Sequence, residues 1–161
     1  MAIDYGRLYH TGVRVPDLDA AMSEIGSTLD VTWAEVRDMP DMQLWTPDAG
    51  VHGASLRFTY SCEGPQHVEL LEASPGCIWY SGDNPGVHHL GVWVSDVQAE
   101  VAAAEADGWR CIAASAPPDD GYGPWAYLQP PSGMIIEVVS EAILAHFEPW
   151  WAEGLARAER D

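Results

Sequence analysis

At 161 residues and 47% apolar content, the chain can build one domain or two very small ones around a real core, which excludes a disordered or low-complexity protein. The net charge is −18, with seven basic residues, all Arg and no Lys. This excludes P-loop and Schiff-base lysine chemistry and argues against nucleic acid or an anionic membrane as partner.

The first strand is expected over Tyr9 to Val15, where Val13 and Val15 alternate with Gly12 and Arg14. Asp17 then stands where a helix cap belongs, before a helix over Leu18–Leu29. Strand-like runs follow at Thr32–Val36, Ser55–Tyr60 and His67–Leu71. A Pro-, Gly- and Asp-bearing loop is expected over Asp38–Gly53. The pattern then starts again. His88 to Ala99 repeats Tyr9 to Ala20 on the skeleton H-x-G-V-x-V-x-D-[LV]-x-A, at an offset of 79 residues. Asp96 is the second cap, and a helix over Val97–Ala106 ends at Asp107-Gly108. Strands are expected at Arg110–Ala114, Trp125–Gln129 and Ile135–Val139, with a surface loop at Ala116–Gly123. A C-terminal helix over Glu141–Arg160 should be interrupted around Pro149, with Trp150, Trp151 and Leu155 docking on the body or on a second subunit.

The last strands of the two copies also correspond. Each carries a carboxylate third in an apolar run, Glu69 in His67-Val68-Glu69-Leu70-Leu71 and Glu137 in Ile135-Ile136-Glu137-Val138-Val139. A Glu amid that much apolar surface needs a partner, because burying its charge alone is costly. The odd cysteine count (Cys62, Cys77, Cys111), without a C-x-x-C pair, points to reduced structural thiols rather than a disulfide framework or a structural zinc site. With no signal segment and no apolar run of the ~18 residues a membrane helix needs, a soluble cytoplasmic protein is expected.

On Tyr9-His10-Thr11-Gly12-Val13, Val68-Glu69-Leu70-Leu71-Glu72, Gly86-Val87-His88-His89-Leu90-Gly91-Val92 and Ser132-Gly133-Met134-Ile135-Ile136-Glu137-Val138, the sequence resembles the vicinal oxygen chelate superfamily, which includes glyoxalase I, methylmalonyl-CoA epimerase, extradiol dioxygenases and bleomycin-resistance proteins. The resemblance covers about residues 8–140 and is greatest to the glyoxalase-like and epimerase-like branch. It implies an α+β fold of two βαβββ modules, 8–73 and 87–140, forming an incomplete barrel within a domain of residues 1–140, with 141–161 as a helical extension. It also implies one divalent metal ion, held by His10, Glu69, His89 and Glu137. Repeat alignment selects His89 over His88, which should face the other side of the strand. Two imidazoles and two carboxylates suit Zn, Ni, Co, Mn or Fe, and leave positions for substrate oxygens on a six-coordinate ion.

The reaction so implied is that of a lyase or isomerase. The metal stabilises the enolate of a small carbonyl substrate, and Glu69 or Glu137 moves the proton. A Glu at position 69 is closer to glyoxalase I than to the epimerases, which often carry Gln there. The lack of Lys offers little to bind CoA phosphates. Alternatives are an Fe(II) extradiol-type dioxygenase, which the extra Glu69 crowds, and a non-catalytic drug-binding protein. Arg14 lies on the strand face of His10 and should pair a structural acid or a substrate carboxylate, the former being expected in so acidic a chain. Phe58, Trp93, Trp125 and Tyr127 could line an apolar pocket or simply pack the core. His67, on the face of Glu69, is expected to be a partly exposed bystander, or else an acid–base or supporting residue. At this size superfamily members are often homodimers, and the Trp pair of the last helix could contribute to the interface.

Overall fold

In both halves of the chain an aspartate ends a strand and starts a helix. This is a computed structural model, and it describes residues 3–160. The Asp17 and Asp96 carboxylates accept hydrogen bonds from the backbone N–H of Ala20 and Ala99 at 2.9 and 3.0 Å. Each bond satisfies an amide that has no partner inside its helix. The helices they start are α1, Leu18–Leu29, and α2, Val97–Ala106, with the bounds that the periodicity predicts. The strands are β1 (Leu8–Arg14), β2 (Arg37–Thr46), β3 (Gly50–Tyr60), β4 (His67–Ala73), β5 (Gly86–Val94), β6 (Arg110–Ala114), β7 (Trp125–Gln129) and β8 (Ile136–Ser140). A third helix, α3, spans Leu144–Ala158. The fold is α+β. Its eight strands close into a barrel in the order β1-β4-β3-β2-β6-β7-β8-β5, where the family resemblance implied an incomplete one.

The chain divides into two compact units. The first contains His10–Met42, Ala54–His88 and the segment from Leu144 onward. In it β1 runs parallel to β4, with Gly12 opposite Glu69, and β3 runs antiparallel to β4, with Tyr60 opposite Glu69 and Phe58 opposite Leu71. One face of this sheet is covered by α1: Leu18 packs with Val15 and Leu70, bordered by Val13, Ala21, Met22, Ile25 and Val68. Side chains alternate along a strand, so His10, Gly12 and Arg14 on β1, and His67, Glu69 and Leu71 on β4, take the opposite face.

The second unit contains the segment up to Tyr9, Gln43–Gly53 and His89–Ile143. It repeats the scheme: β5 is parallel to β8 with Gly91 opposite Glu137, and β7 is antiparallel to β8 with Tyr127 opposite Glu137. Here α2 buries Val97, Val101 and Ala104 against Val94, Leu128 and Val138. His89, Gly91, Glu137 and Tyr127 again fall on the face turned from the helix.

Three sequence expectations are corrected. Thr32–Val36 is not a strand and contributes only an isolated bridge, Trp33 to Ser61. The expected loop Asp38–Gly53 is largely strand, β2 and the start of β3. Pro40 misled the reading. Little of β2 is buried apart from Leu44, and Pro40 itself lies exposed on that strand. Nor does Pro149 interrupt the last helix: α3 runs through it. The lost bond to the Ala145 carbonyl is offset by packing, since Phe147 and Trp150 are buried and the Trp150 indole N–H donates to the Glu35 carbonyl at 2.9 Å. Both Trp150 and Trp151 therefore dock on their own unit. Among the described residues no helix is long and apolar enough to cross a membrane.

Helix α3 approaches closely at Gly154, where an added Cβ would stand 2.3 Å from Cys62 Sγ and 3.2 Å from Ala34 Cα. Gly154→Ala should therefore destabilise the protein by about 1–3 kcal/mol. A fall in melting temperature, partly reversed by adding Cys62→Ala, would establish the contact. Burial pushes the Cys62 thiol up to about 11 and the Cys111 thiol up to about 12. Both should resist iodoacetamide in the folded protein at pH 8 and react only after denaturation, as followed by mass spectrometry.

Candidate metal centre

The two halves present the same pair of groups. In the first unit the His10 Nε2 lies 3.4 Å from Glu69 Oε2. In the second unit the His89 Nε2 lies 3.5 Å from Glu137 Oε2. All four residues are buried, the imidazoles at 1% exposure and the carboxylates at 5% and 7%. One donor atom from each of His10, Glu69, His89 and Glu137 lies within 4.8 Å of the other three. His88, half-buried, is not in this group.

Each pair is positioned by a parallel strand pairing. The carboxylate strand places Glu69 beside Gly12 and Glu137 beside Gly91, and neither glycine has a side chain to fill the space next to the carboxylate. On the other flank of each Glu stands a tyrosine, Tyr60 or Tyr127. Tyr60 meets the His10 ring edge-on with centroids 5.3 Å apart, and Tyr127 meets His89 in the same way at 4.9 Å. These contacts restrict ring rotation and keep Nε2 turned toward the carboxylate.

The donor chemistry fits a divalent ion. Two carboxylates in a buried, largely apolar setting carry a charge that two neutral imidazoles do not cancel, and a dication would balance it. Donors held about 2.1 Å from one ion are about 3.0 Å apart at right angles and about 4.2 Å apart across it. The 3.4 and 3.5 Å pairs, in a group no wider than 4.8 Å, reach that geometry by side-chain movements of a few tenths of an ångström. The mixed nitrogen and oxygen set suits borderline or harder metals and does not select one.

The remaining expected site residues take varied places. Phe58 lies on the face of Glu69, 6.3 Å from Tyr60 and 5.8 Å from Trp150, both edge-on. Trp125 lies 5.6 Å from Tyr127 on the corresponding face of the second unit. Trp93 stacks on Tyr9, with centroids 3.8 Å apart. His67 is not the partly exposed bystander that was expected, since it is 6% exposed. Its Nδ1–H donates to the Ser61 carbonyl at 2.6 Å, which fixes the tautomer because a carbonyl only accepts. Burial holds its pKa below the usual histidine value. Its ring stacks on Trp151 of α3 at 3.9 Å. Arg14 does not make the expected structural salt bridge: among the described residues no carboxylate pairs with it, and its Nη2 donates to the Asn84 carbonyl at 3.2 Å. Glu72 faces away from Glu69, accepts from the Leu18 N–H at 2.7 Å, pairs with Arg57 and so supports α1.

Sequence reasoning expected Trp150 and Trp151 to dock but missed Tyr60 and the place where Trp151 packs, on His67. Tyr60 was recoverable: Phe58-x-Tyr60 repeats as Trp125-x-Tyr127 in the strand that precedes each carboxylate strand. The stacking of Trp151 on His67 had no counterpart in the second copy and gave no such signal.

Comparison with known proteins agrees with this duplicated architecture. A curated ethylmalonyl-CoA/methylmalonyl-CoA epimerase from Cereibacter sphaeroides is 29% identical over 142 residues, covering 83% of this chain and 96% of its own. Among solved structures, a Streptomyces coelicolor methylmalonyl-CoA epimerase variant in complex with 2-nitronate-propionyl-CoA superposes with a TM-score of 0.59 at 21% identity, covering 84% of this chain and 94% of that one. The methylmalonyl-CoA epimerase of Mycobacterium tuberculosis gives 0.60 at 17% identity, covering 87% and 91%. Residues 9–127 match the family model of the Glyoxalase/Bleomycin resistance protein/Dioxygenase superfamily, and the chain belongs to that superfamily.

Proposed function

We propose that the protein is a metal-dependent isomerase of the epimerase type, which inverts the α-carbon of a small acyl thioester. The observation that carries this reading is the buried quartet of two imidazoles and two carboxylates, with one donor atom from each residue inside 4.8 Å. The similarity to the Cereibacter sphaeroides epimerase supports the reaction type. His10, Glu69, His89 and Glu137 are the residues that would hold the metal. When bound, a divalent ion supplies Lewis-acid polarisation of a substrate carbonyl oxygen, which acidifies the neighbouring C–H.

The chain's own groups do the rest. Glu69 and Glu137 each turn one carboxylate oxygen, Oε2, toward an imidazole. The other oxygen, Oε1, of one of them takes the α-proton from one face, and the second carboxyl group, protonated beforehand, gives a proton to the opposite face, so the two groups exchange protonation states in a turnover. Tyr60 and Tyr127 keep the imidazoles from rotating, and burial keeps bulk water off the reacting carbon, while the carboxyl protons exchange with solvent between turnovers. Glu69 is one donor more than a two-histidine, one-carboxylate iron centre uses, which favours the isomerase over the dioxygenase alternative.

Elemental analysis of protein purified without added metal should find about one divalent ion per chain, and Glu137→Gln should retain less than about half of the wild-type content. Full metal content in that variant would remove Glu137 from the ligand set. In D2O, the metal-loaded protein should exchange the α-hydrogen of an alkylmalonyl thioester, as followed by NMR. Chelation should abolish the exchange and added metal restore it. Exchange that survives complete metal removal would end the metal-dependent reading.

A further inference from the structure

In the first unit both faces of the sheet carry a helix. One face is covered by α1 with apolar side chains. The other holds His10, Glu69, His67, Phe58 and Tyr60, because His67 is the strand partner of His10, Tyr60 is that of Glu69, and Phe58 lies two residues before Tyr60. Helix α3 lies on this second face. Trp150 meets Phe58 and Tyr60 with centroids at 5.8 and 5.7 Å, Phe147 meets Tyr60 at 5.5 Å, and Trp151 stacks on His67 at 3.9 Å. The face that a ligand on His10 and Glu69 would use is thus partly taken by the chain's own rings. The Trp151 ring stands at the row of His10, and Glu69 is one inward row, about 7 Å, further along β4. Among the described residues the second unit has α2 and no counterpart of α3, so the duplicated framework does not require this cover.

The cover is fixed in place. Gly154 lets α3 approach Cys62 and Ala34 more closely than any side chain would allow. The Trp150 indole N–H donates to the Glu35 carbonyl at 2.9 Å, and Arg157 Nη2 donates to the Trp33 carbonyl at 3.3 Å. The Arg37 guanidinium lies over the Trp150 ring, 3.8 Å from its centroid. Swinging α3 away would break all of these contacts and expose three large rings at once. Phe147 and Trp150 are buried, whereas Trp151 is half-buried. Trp151 is therefore the ring of α3 with surface left to meet a ligand.

We propose that α3 is a size filter on the His10–Glu69 side of the site and that Trp151 is its specificity-determining residue. A compound whose oxygens reach the metal is accepted when the group it turns toward β3 and β4 is small, and refused when that group is a long chain or an aromatic ring. This deepens, and rests on, the epimerase reading, in which the group concerned is the substituent on the carbon that is inverted. An indole stacked on His67 and backed by a helix pinned at Gly154 cannot yield to an added ring without shifting α3, and packed interiors resist such shifts. Refusal by a fixed side chain sets specificity without any new attraction to the preferred compound.

The test uses the full-length, metal-loaded protein and two pairs of compounds. Ethylmalonyl and benzylmalonyl thioesters report exchange of the α-hydrogen. Acetohydroxamate and naphthohydroxamate, which bind a metal through two oxygens, report binding alone through the visible absorption of cobalt-loaded protein. Wild type should prefer the smaller member of each pair about a hundredfold. Trp151→Ala should bring the preference below about tenfold by a gain for the larger member, with metal content and the smaller member unchanged. Trp151→Phe, which keeps a ring on His67, should retain most of the preference, and Leu155→Ala, at an exposed position of α3, all of it. If the Ala variant melts below the assay temperature, Trp151→Leu takes its place. A purely structural role for Trp151 would lower the melting temperature and weaken both members alike. If the hydroxamate preference collapses in the variant while no thioester exchanges, the filter stands and only the epimerase reading falls. If a folded variant keeps the wild-type preference, or if wild type shows none or binds neither hydroxamate, the filter is overturned.

Discussion

Two carboxylates buried beside two imidazoles are the constraint around which the rest of the structure is arranged. An isolated glutamate at 5% or 7% exposure would have to be neutralised or compensated, because its charged form is strongly disfavoured away from water. The fold supplies each Glu with a histidine on the neighbouring inward row, a glycine at its side and a tyrosine on its other flank. A dication would complete the charge balance. Helix placement follows from the same constraint: α1 and α2 cover the opposite faces of their sheets with apolar side chains, leaving the inner faces to the polar groups.

Much of this was legible in the sequence because duplication makes a pattern visible twice. His10 and His89 share a skeleton seven residues deep, and Glu69 and Glu137 interrupt equivalent apolar runs. The helices α1 and α2 were readable to the residue because Asp caps and helical spacing are local signals. What was not legible depended on tertiary contact. A proline at position 40 looked like loop because nothing local reveals that its neighbours lie in a strand paired with β3 and β6. Pro149 looked like a break because the packing of Phe147 and Trp150 that holds α3 together involves residues more than 80 positions away. His67 looked exposed because Trp151, which covers it, comes from outside the repeat.

The halves are alike where they would meet a metal and differ around it. At the position four residues after each histidine, one half has Arg14 and the other Trp93. The first half is walled by Phe147, Trp150 and Trp151, while in the second the rings near the carboxylate are its own Tyr127 and Trp125. A duplicated framework thus conserves the ligand chemistry, and substitution around it can set what each half admits. This separation explains how one superfamily accommodates many reactions on one scaffold.

The wall that α3 builds has a consequence for how the chain matures. Tyr60 and His67 are synthesised more than 80 residues before Trp151, the ring that packs on both. The histidine's burial is therefore unfinished while β1, β3, β4 and α1 are already made. Until α3 follows, that surface stays open, and the helix acts as the closing step of the unit.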